Sequence, residues 1–331
     1  MLNQQFHLNT KMFDADVEQI PIRTGFGHGL LEAGEKDKNI VALCADLTES
    51  TQMHLFRDAF PDRFIQIGIA EQNLASVAAG MAHMGKTAFL SSYAMFSPGR
   101  NWEQIRTTIC YNDVPVKILG SHAGVSVGPD GGTHQAIEDI AITRVLPNMV
   151  VISPCDAVQA KKAALATAQT KEPTYIRLAR EKSPIMTTEE TPFEIGKAQL
   201  VYIPEVGLAD VGIIATGALL HKALTAAKNL EAKGIKVKVL NMATIKPMDT
   251  DAVLAIAKET KALVTVEEHQ IGGGMGSMVA EYLAQYAPTP IEFIGVHDEF
   301  GQSGTPAELI EFYKMGSSHI ETAVEKILKR K

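Results

Sequence analysis

The chain has 331 residues, 46 % of them hydrophobic and 21 % charged, with a formal net charge of -7. That balance fits a globular protein with a real core, sets two domains as the prior, and argues against a general nucleic-acid binder. Three widely spaced cysteines, Cys44, Cys110 and Cys155, and the lack of any CxxC exclude a disulfide scaffold or zinc site and point to a reducing compartment. The first twenty residues lack the apolar stretch of a signal peptide, and no run of 18 apolar residues occurs, so the cytoplasm is the default expectation, with no membrane and no nucleic-acid partner.

Along the chain, short β-rich runs alternate with helical patterns. Residues 39–45, 86–92, 115–121, 148–154 and 174–179 read as strands. Residues 101–110 and 156–169, between them, read as helices. Near-continuous apolar strands separated by helices indicate parallel sheets covered on both faces. Residues 180–198 break the rhythm with a polar, proline-containing stretch and read as a linker; the alternation then resumes. The predicted class is α/β, with two domains, each a mostly parallel sheet flanked by helices. Residues 1–186 form the first domain, 187–198 the linker and 199–331 the second domain.

Two glycine-rich stretches invite a phosphate-binding reading. "GFGHG" (25–29) does not follow a predicted strand, which favours a helix start packed closely on a neighbour. "VEEHQIGGGMGSMVAEYL" (266–283) has strand, loop and helix in the right order but misses the G-x-G-x-x-G spacing. A tight turn requires glycine there in any case.

Three segments carry the chemistry. "IGIAEQNLASVAAGMA" (67–82) places Glu71 between an apolar run and small residues, with no basic partner near it in sequence. "FLSSYAMFSPGRNWEQIR" (89–106) brings Tyr93 and Phe96 just after a strand, and "LGSHAGVSVGPDGGTHQAIEDI" (119–140) holds His122, Asp130 and His134. All three follow the C-terminal ends of predicted strands, the edge where open parallel sheets bind ligands.

Gly68-Ile69-Ala70-Glu71-Gln72-Asn73 and Asp130-Gly131-Gly132-Thr133-His134-Gln135 resemble the pyrimidine-binding half of transketolases and deoxyxylulose-phosphate synthases. "ALCADLTES" (42–50), "RVLPNMVVISPCDA" (144–157) and "RLAREKSP" (177–184) also fit the transketolase pattern, and the resemblance spans nearly the whole chain. Both families use thiamine diphosphate. The Gly-Asp-Gly…Asn signature that holds the diphosphate through Mg²⁺ does not occur here. The chain therefore resembles the C-terminal subunit of a split transketolase, a transferase active only with its partner. That partner is expected to be an N-terminal subunit carrying the diphosphate site and the Mg²⁺ ligands, in an α2β2 assembly, with no metal ligand on this chain.

The resemblance implies a role for each residue. Glu71 would hydrogen-bond the aminopyrimidine ring and favour the tautomer that activates the thiazolium carbon, with burial among Ile69 and Leu74 raising its pKa. Phe96 would stack on that ring, with Tyr93 on the same wall, although this segment is about two residues longer, around Pro98-Gly99, than in the synthases. Arg23, Ser50, His122 and Arg180 would hold the phosphate of the sugar substrate. Asp130 and His134 would face the substrate hydroxyls, His134 also moving protons. Asp46 would belong to the cofactor pocket or a subunit contact. The small residues after Glu71 would form a close-packed subunit face. The implied reaction is two-carbon ketol transfer from a ketose phosphate to an aldose phosphate, as in the pentose phosphate pathway. The rivals are a deoxyxylulose-phosphate synthase component, which carries arginine in place of His122, and a 2-oxo acid dehydrogenase β subunit, which lacks the Asp-Gly-x-Thr-His-Gln loop. A non-enzymatic binding subunit is a third, disfavoured by the intact Glu71, Asp130 and His134.

Overall fold

The computed structural model describes residues 1–331. Fourteen strands follow in chain order: β1 Gln19–Pro21, β2 Ile40–Cys44, β3 Phe64–Gln66, β4 Thr87–Tyr93, β5 Val116–Ser121, β6 Val150–Ile152, β7 Thr174–Arg177, β8 Lys182–Pro184, β9 Gln199–Tyr202, β10 Val211–Ala215, β11 Val237–Asn241, β12 Thr244–Lys246, β13 Leu263–Gln270 and β14 Ile291–Val296. The five strand segments expected in the first half all form, each within a few residues of its expected limits.

A seven-stranded sheet runs in the order β12-β6-β7-β5-β4-β2-β3, parallel except for the edge pair β12 and β6. β2 and β5 are buried at every position, as strands covered by helices on both faces must be. After β2 the chain winds outward to β3, then returns to lay β4 on the other side of β2. That reversal leaves a crevice beyond the C-terminal ends of β2 and β4, the place where doubly wound sheets take ligands. A second, five-stranded sheet runs β14-β13-β10-β11-β9, parallel except for β9. Both halves are thus mostly parallel α/β layers.

The halves are not joined by a simple tether. Lys182–Pro184, inside the stretch read as linker, pairs antiparallel with Gln19–Pro21. Beyond it, the Asp156 carboxylate accepts from the Met186 and Thr187 backbone N–H groups and from the Thr187 hydroxyl, so this polar segment is anchored by hydrogen bonds rather than free. Near the N-terminus, Leu2 bridges Tyr202 and Asn3 bonds Val201, on the edge of the second sheet. β12 crosses the other way to extend the first sheet. One buried apolar cluster includes Leu90 and Ile118 together with Ile214, Leu240 and Val279, so the two halves share a core.

The glycine stretches resolve differently. A strand does precede "GFGHG", contrary to expectation, but it belongs to the two-stranded ribbon, and the glycines lie inside the helix Ile22–Lys36. A Cβ on Gly25 would sit 1.8 Å from the Ala157 carbonyl oxygen, so these glycines let two helices touch. In the second stretch, the N–H groups of Met275 and Gly276 at the start of the helix Met275–Tyr286 donate to the Glu267 carboxylate. The chain fills its own anion position there.

A buried polar cluster ties the halves together. Arg177 Nε donates to Asp139 Oδ2 at 2.8 Å, and the Tyr175 hydroxyl donates to the same oxygen at 2.7 Å. Arg177 also donates to the carbonyls of Ala136 and, across the boundary, Glu268. Glu268 in turn accepts from the Ser126 N–H at 2.6 Å. Breaking a buried ion pair on one side strands the other charge, at about 3–5 kcal/mol. Asp139→Ala is therefore expected to lower unfolding stability by about that amount, measured by urea titration; a change under about 1 kcal/mol contradicts this reading.

Candidate active site

Glu71 is the first residue of the helix Glu71–His83, brought to the crevice by the turn after β3. Its side chain is only 4 % exposed. The expectation of apolar surroundings and no basic partner is corrected here. Ile69 points outward, 75 % exposed. Arg100 faces the acid, with Nη1 3.2 Å from Oε2 and 3.4 Å from Oε1. The two residues are 29 positions apart, so only the fold pairs them. A cavity of about 320 Å³ opens at this point, lined by Ile69, Ala70, Glu71, Gln72 and Arg100.

The loop after β4 explains how Arg100 arrives. The Ser97 N–H donates to the Tyr93 carbonyl and the Arg100 N–H to the Phe96 carbonyl, winding the chain into consecutive turns. Gly99 is required there, because a Cβ would meet the Met95 carbonyl oxygen at 1.9 Å. Fully buried Asn101 pins the loop to the acid: its amide donates to the Glu71 backbone carbonyl at 2.9 Å and to the Ser97 hydroxyl at 3.1 Å. The Arg100 guanidinium carbon then lies 4.2 Å from the centre of the Phe96 ring.

An aromatic wall continues from Phe96. Tyr93 lies 6.1 Å from it, nearly parallel, and stacks on His122 at 3.9 Å. His134 meets the edge of the same wall, 5.4 Å from Phe96 and 6.4 Å from Tyr93. His122 follows β5 in a left-handed conformation, φ 57°, which a non-glycine residue keeps only when its surroundings enforce it. Its Nδ1 lies 2.9 Å from the Ser121 hydroxyl.

Arg23 and Arg180 gather beside His122. Arg23 donates to the Arg180 carbonyl, while its buried Nε has no partner. Both guanidinium groups, after burial, push the His122 imidazole down to about 3. A neutral histidine near two arginines, one with an unspent donor, makes a group suited to an anion. Ser50, half-buried in the turn after β2, makes no hydrogen bond to this group. Asp46 is exposed at φ 59°, and its N–H donates to Gln66 Oε1 at 2.8 Å. Gln66 also accepts from the Gly68 N–H, so it links the Asp46 turn to the turn that leads to Glu71.

Asp130 is exposed and His134 half-buried on the loop after β5. His134 Nδ1 lies 2.9 Å from the Thr133 hydroxyl. Gln135, the end of the sequence motif but given no role by it, is the buried anchor of this loop: its amide donates to the carbonyls of Val125, Gly128 and Gln302. Gln302 belongs to the second half, whose Gly301 backbone leaves no room for a Cβ on Gly132. The second half thus seats the loop that carries Asp130 and His134. No group of three or more His, Cys, Asp or Glu side chains is arranged to hold a metal ion, and no helix is long and apolar enough to cross a membrane.

The His122 shift has a consequence for stability. The unfolded chain protonates this histidine below about pH 6.5, whereas the folded chain resists until about 3, so stability falls as pH drops through that window. His122→Asn is expected to flatten the pH dependence of the unfolding free energy between about pH 6.5 and 4. A variant as steep as the wild type contradicts a buried neutral His122.

Known proteins match the chain along most of its length. The family pattern described as transketolase, pyrimidine binding domain matches residues 18–185, and the transketolase C-terminal domain matches residues 205–320. A Methanocaldococcus jannaschii chain carrying the name of a transketolase C-terminal section is 42 % identical over 93 % of this chain and 96 % of its own length. The 6-deoxy-6-sulfo-D-fructose transketolase subunit SqwH of a Clostridium species is 38 % identical over 96 % of this chain and 98 % of its own. A solved split gene transketolase, described as an inactive β4 tetramer, superposes with a TM-score of 0.86 at 44 % identity, covering 94 % of this chain and 99 % of that one. The chain belongs to the transketolase family, with a pyrimidine-binding domain followed by a transketolase C-terminal domain.

Proposed function

We propose that this chain is the C-terminal subunit of a thiamine-diphosphate-dependent transketolase that moves a two-carbon ketol unit between sugars bearing a terminal anion. The observation that carries this reading is that Glu71 and Phe96 both face one group, the Arg100 guanidinium, with Arg23, His122 and Arg180 gathered along the same aromatic wall. The chain's residues fit the pyrimidine end of the cofactor. Phe96 offers a flat face already in contact with a planar cation, and Glu71 points a carboxylate at the same space. Thiamine diphosphate supplies a carbanion-stabilising centre when bound.

On this reading, Glu71 holds a proton relationship with a ring nitrogen of the pyrimidine, Phe96 orients the ring, and Tyr93 closes the wall. Arg23 and Arg180 bind the terminal anion through guanidinium N–H groups, with neutral His122 donating one further bond. The Clostridium relative's name places a sulfonate on its sugar, so the shared chemistry is a terminal tetrahedral oxyanion. Ser50 adds to that site if its turn closes over the substrate. His134 and Asp130 face the reacting hydroxyls, where His134 takes and returns a proton. Asp46 is assigned to the cofactor pocket or a subunit contact.

Mg²⁺ and the diphosphate are assigned to a separate N-terminal subunit, in an α2β2 complex, since the Gly-Asp-Gly…Asn signature does not occur in this sequence. Relatives that match this chain over nearly their full lengths, under names denoting a C-terminal section and a subunit, support the split arrangement. Three buried, unpaired cysteines support a reducing, cytoplasmic setting. A role in the pentose phosphate pathway is the simplest assignment for such an activity.

Mixing the purified chain with its N-terminal partner, thiamine diphosphate, Mg²⁺, a ketose phosphate and an aldose phosphate is expected to give ketol transfer that neither subunit gives alone. Full activity of this chain by itself, or none in the mixture, contradicts the proposal. Glu71→Gln is expected to lower kcat by about 10²–10⁴-fold with the fold intact, followed by coupled assay of the aldose product. A wild-type rate removes Glu71 from the mechanism.

A further inference from the structure

Arg100 touches both surfaces that the proposed cofactor would need. Its Nη1 contacts both Glu71 carboxylate oxygens, and its guanidinium carbon lies over the Phe96 ring, 4.2 Å from the centre. A guanidinium and an aminopyrimidine are both flat, both nitrogen-rich and both able to bond a carboxylate while lying on a ring. They cannot share this space. The Arg100 side chain is 52 % exposed, so it has room to swing out without unpacking the core, unlike Glu71 and Asn101. The loop that carries it is fixed at both sides, by Gly99 tucked under the Met95 carbonyl and by Asn101 bonded to the Glu71 backbone. Only the side chain is free to move.

We propose that Arg100 is a built-in competitor of the cofactor's pyrimidine: it partners Glu71 and shields Phe96 in the lone chain, and it must withdraw before the ring can dock. This rests on the assignment of Glu71 and Phe96 to the pyrimidine site. Such a partner spares the acid from being buried alone, which would be costly for an ionised carboxylate. It also keeps an aromatic face and a carboxylate from standing open until a second subunit delivers the rest of the cofactor site. Because the arginine half of the pair is 52 % exposed and its contacts with the carboxylate are 3.2 and 3.4 Å long, its hold is modest and the ring can displace it.

The chain's single tryptophan, Trp102, lies two residues from Arg100 and reports on this loop. Trp102 fluorescence of the chain assembled with its N-terminal partner, titrated with thiamine diphosphate in excess Mg²⁺, gives the cofactor Kd. Arg100→Met, which keeps the stem and removes the cation, is expected to lower that Kd by about three- to tenfold, the worth of an exposed ion pair and a cation–ring contact. Arg100→Gln should shift it the same way, and Arg100→Lys should stay nearer the wild type. Glu71→Ala, measured in parallel, separates the two ideas. If Glu71→Ala weakens cofactor binding while Arg100→Met leaves it unchanged or weaker, the competitor proposal fails and the pyrimidine site stands. If Glu71→Ala has no effect on Kd, the site assignment fails and takes the competitor with it.

Discussion

A carboxylate that is 4 % exposed cannot stand without a partner, and the first half of this fold is arranged around that requirement at Glu71. The turn after β3 delivers the acid to the start of a helix, and the loop after β4 folds back to meet it with Arg100 and Asn101. Asn101 holds the backbone and Arg100 holds the carboxylate, so position and charge are secured by different residues. The first contact is fully buried, whereas the second comes from a side chain that is 52 % exposed.

The rest of the molecule keeps the neighbouring loops in register with that acid. Gln66 joins the Asp46 turn to the turn before Glu71, while Gln135 ties the loop carrying Asp130 and His134 to Gln302 of the second half. The buried Asp139–Arg177 pair and the Glu268 carboxylate draw the same loop against β13. The C-terminal domain thereby has a physical role: it fixes the shape of a loop whose glycines leave it otherwise underdetermined.

The layered α/β fold was legible because fully buried parallel strands such as Ile40–Cys44 and Val116–Ser121 leave an unmistakable apolar run. Tyr93, Phe96, His122 and His134 stood out because they lie at or after the ends of apolar strands, and Glu71, which follows the short and only half-buried Phe64–Gln66, because it sits in a patterned stretch. What did not show is equally specific. Arg100 is 29 residues from Glu71, and nothing in a charge pattern distinguishes it from a solvated arginine. Gln135 closes the motif that carries Asp130 and His134, but its amide donates to the backbone carbonyl of Gln302, 167 residues away, and a backbone acceptor leaves no mark in a side-chain pattern. The polar stretch 180–198 looked like a tether because its composition is hydrophilic, yet Asp156 and Gln19–Pro21 satisfy its backbone groups and hold it down. Composition registers solubility; it does not register who accepts the hydrogen bonds.

The central claim is that one face of a thiamine diphosphate site is already built on this chain and awaits the other face from a second subunit. The most direct measurement is an experimental structure of the chain bound to its N-terminal partner, thiamine diphosphate and Mg²⁺. The account predicts the aminopyrimidine against Phe96 and within hydrogen-bond distance of Glu71, with the diphosphate and Mg²⁺ held by the partner and Arg100 turned away. A cofactor bound elsewhere, or held at both ends by one subunit with the Glu71–Arg100 pair intact, would contradict it.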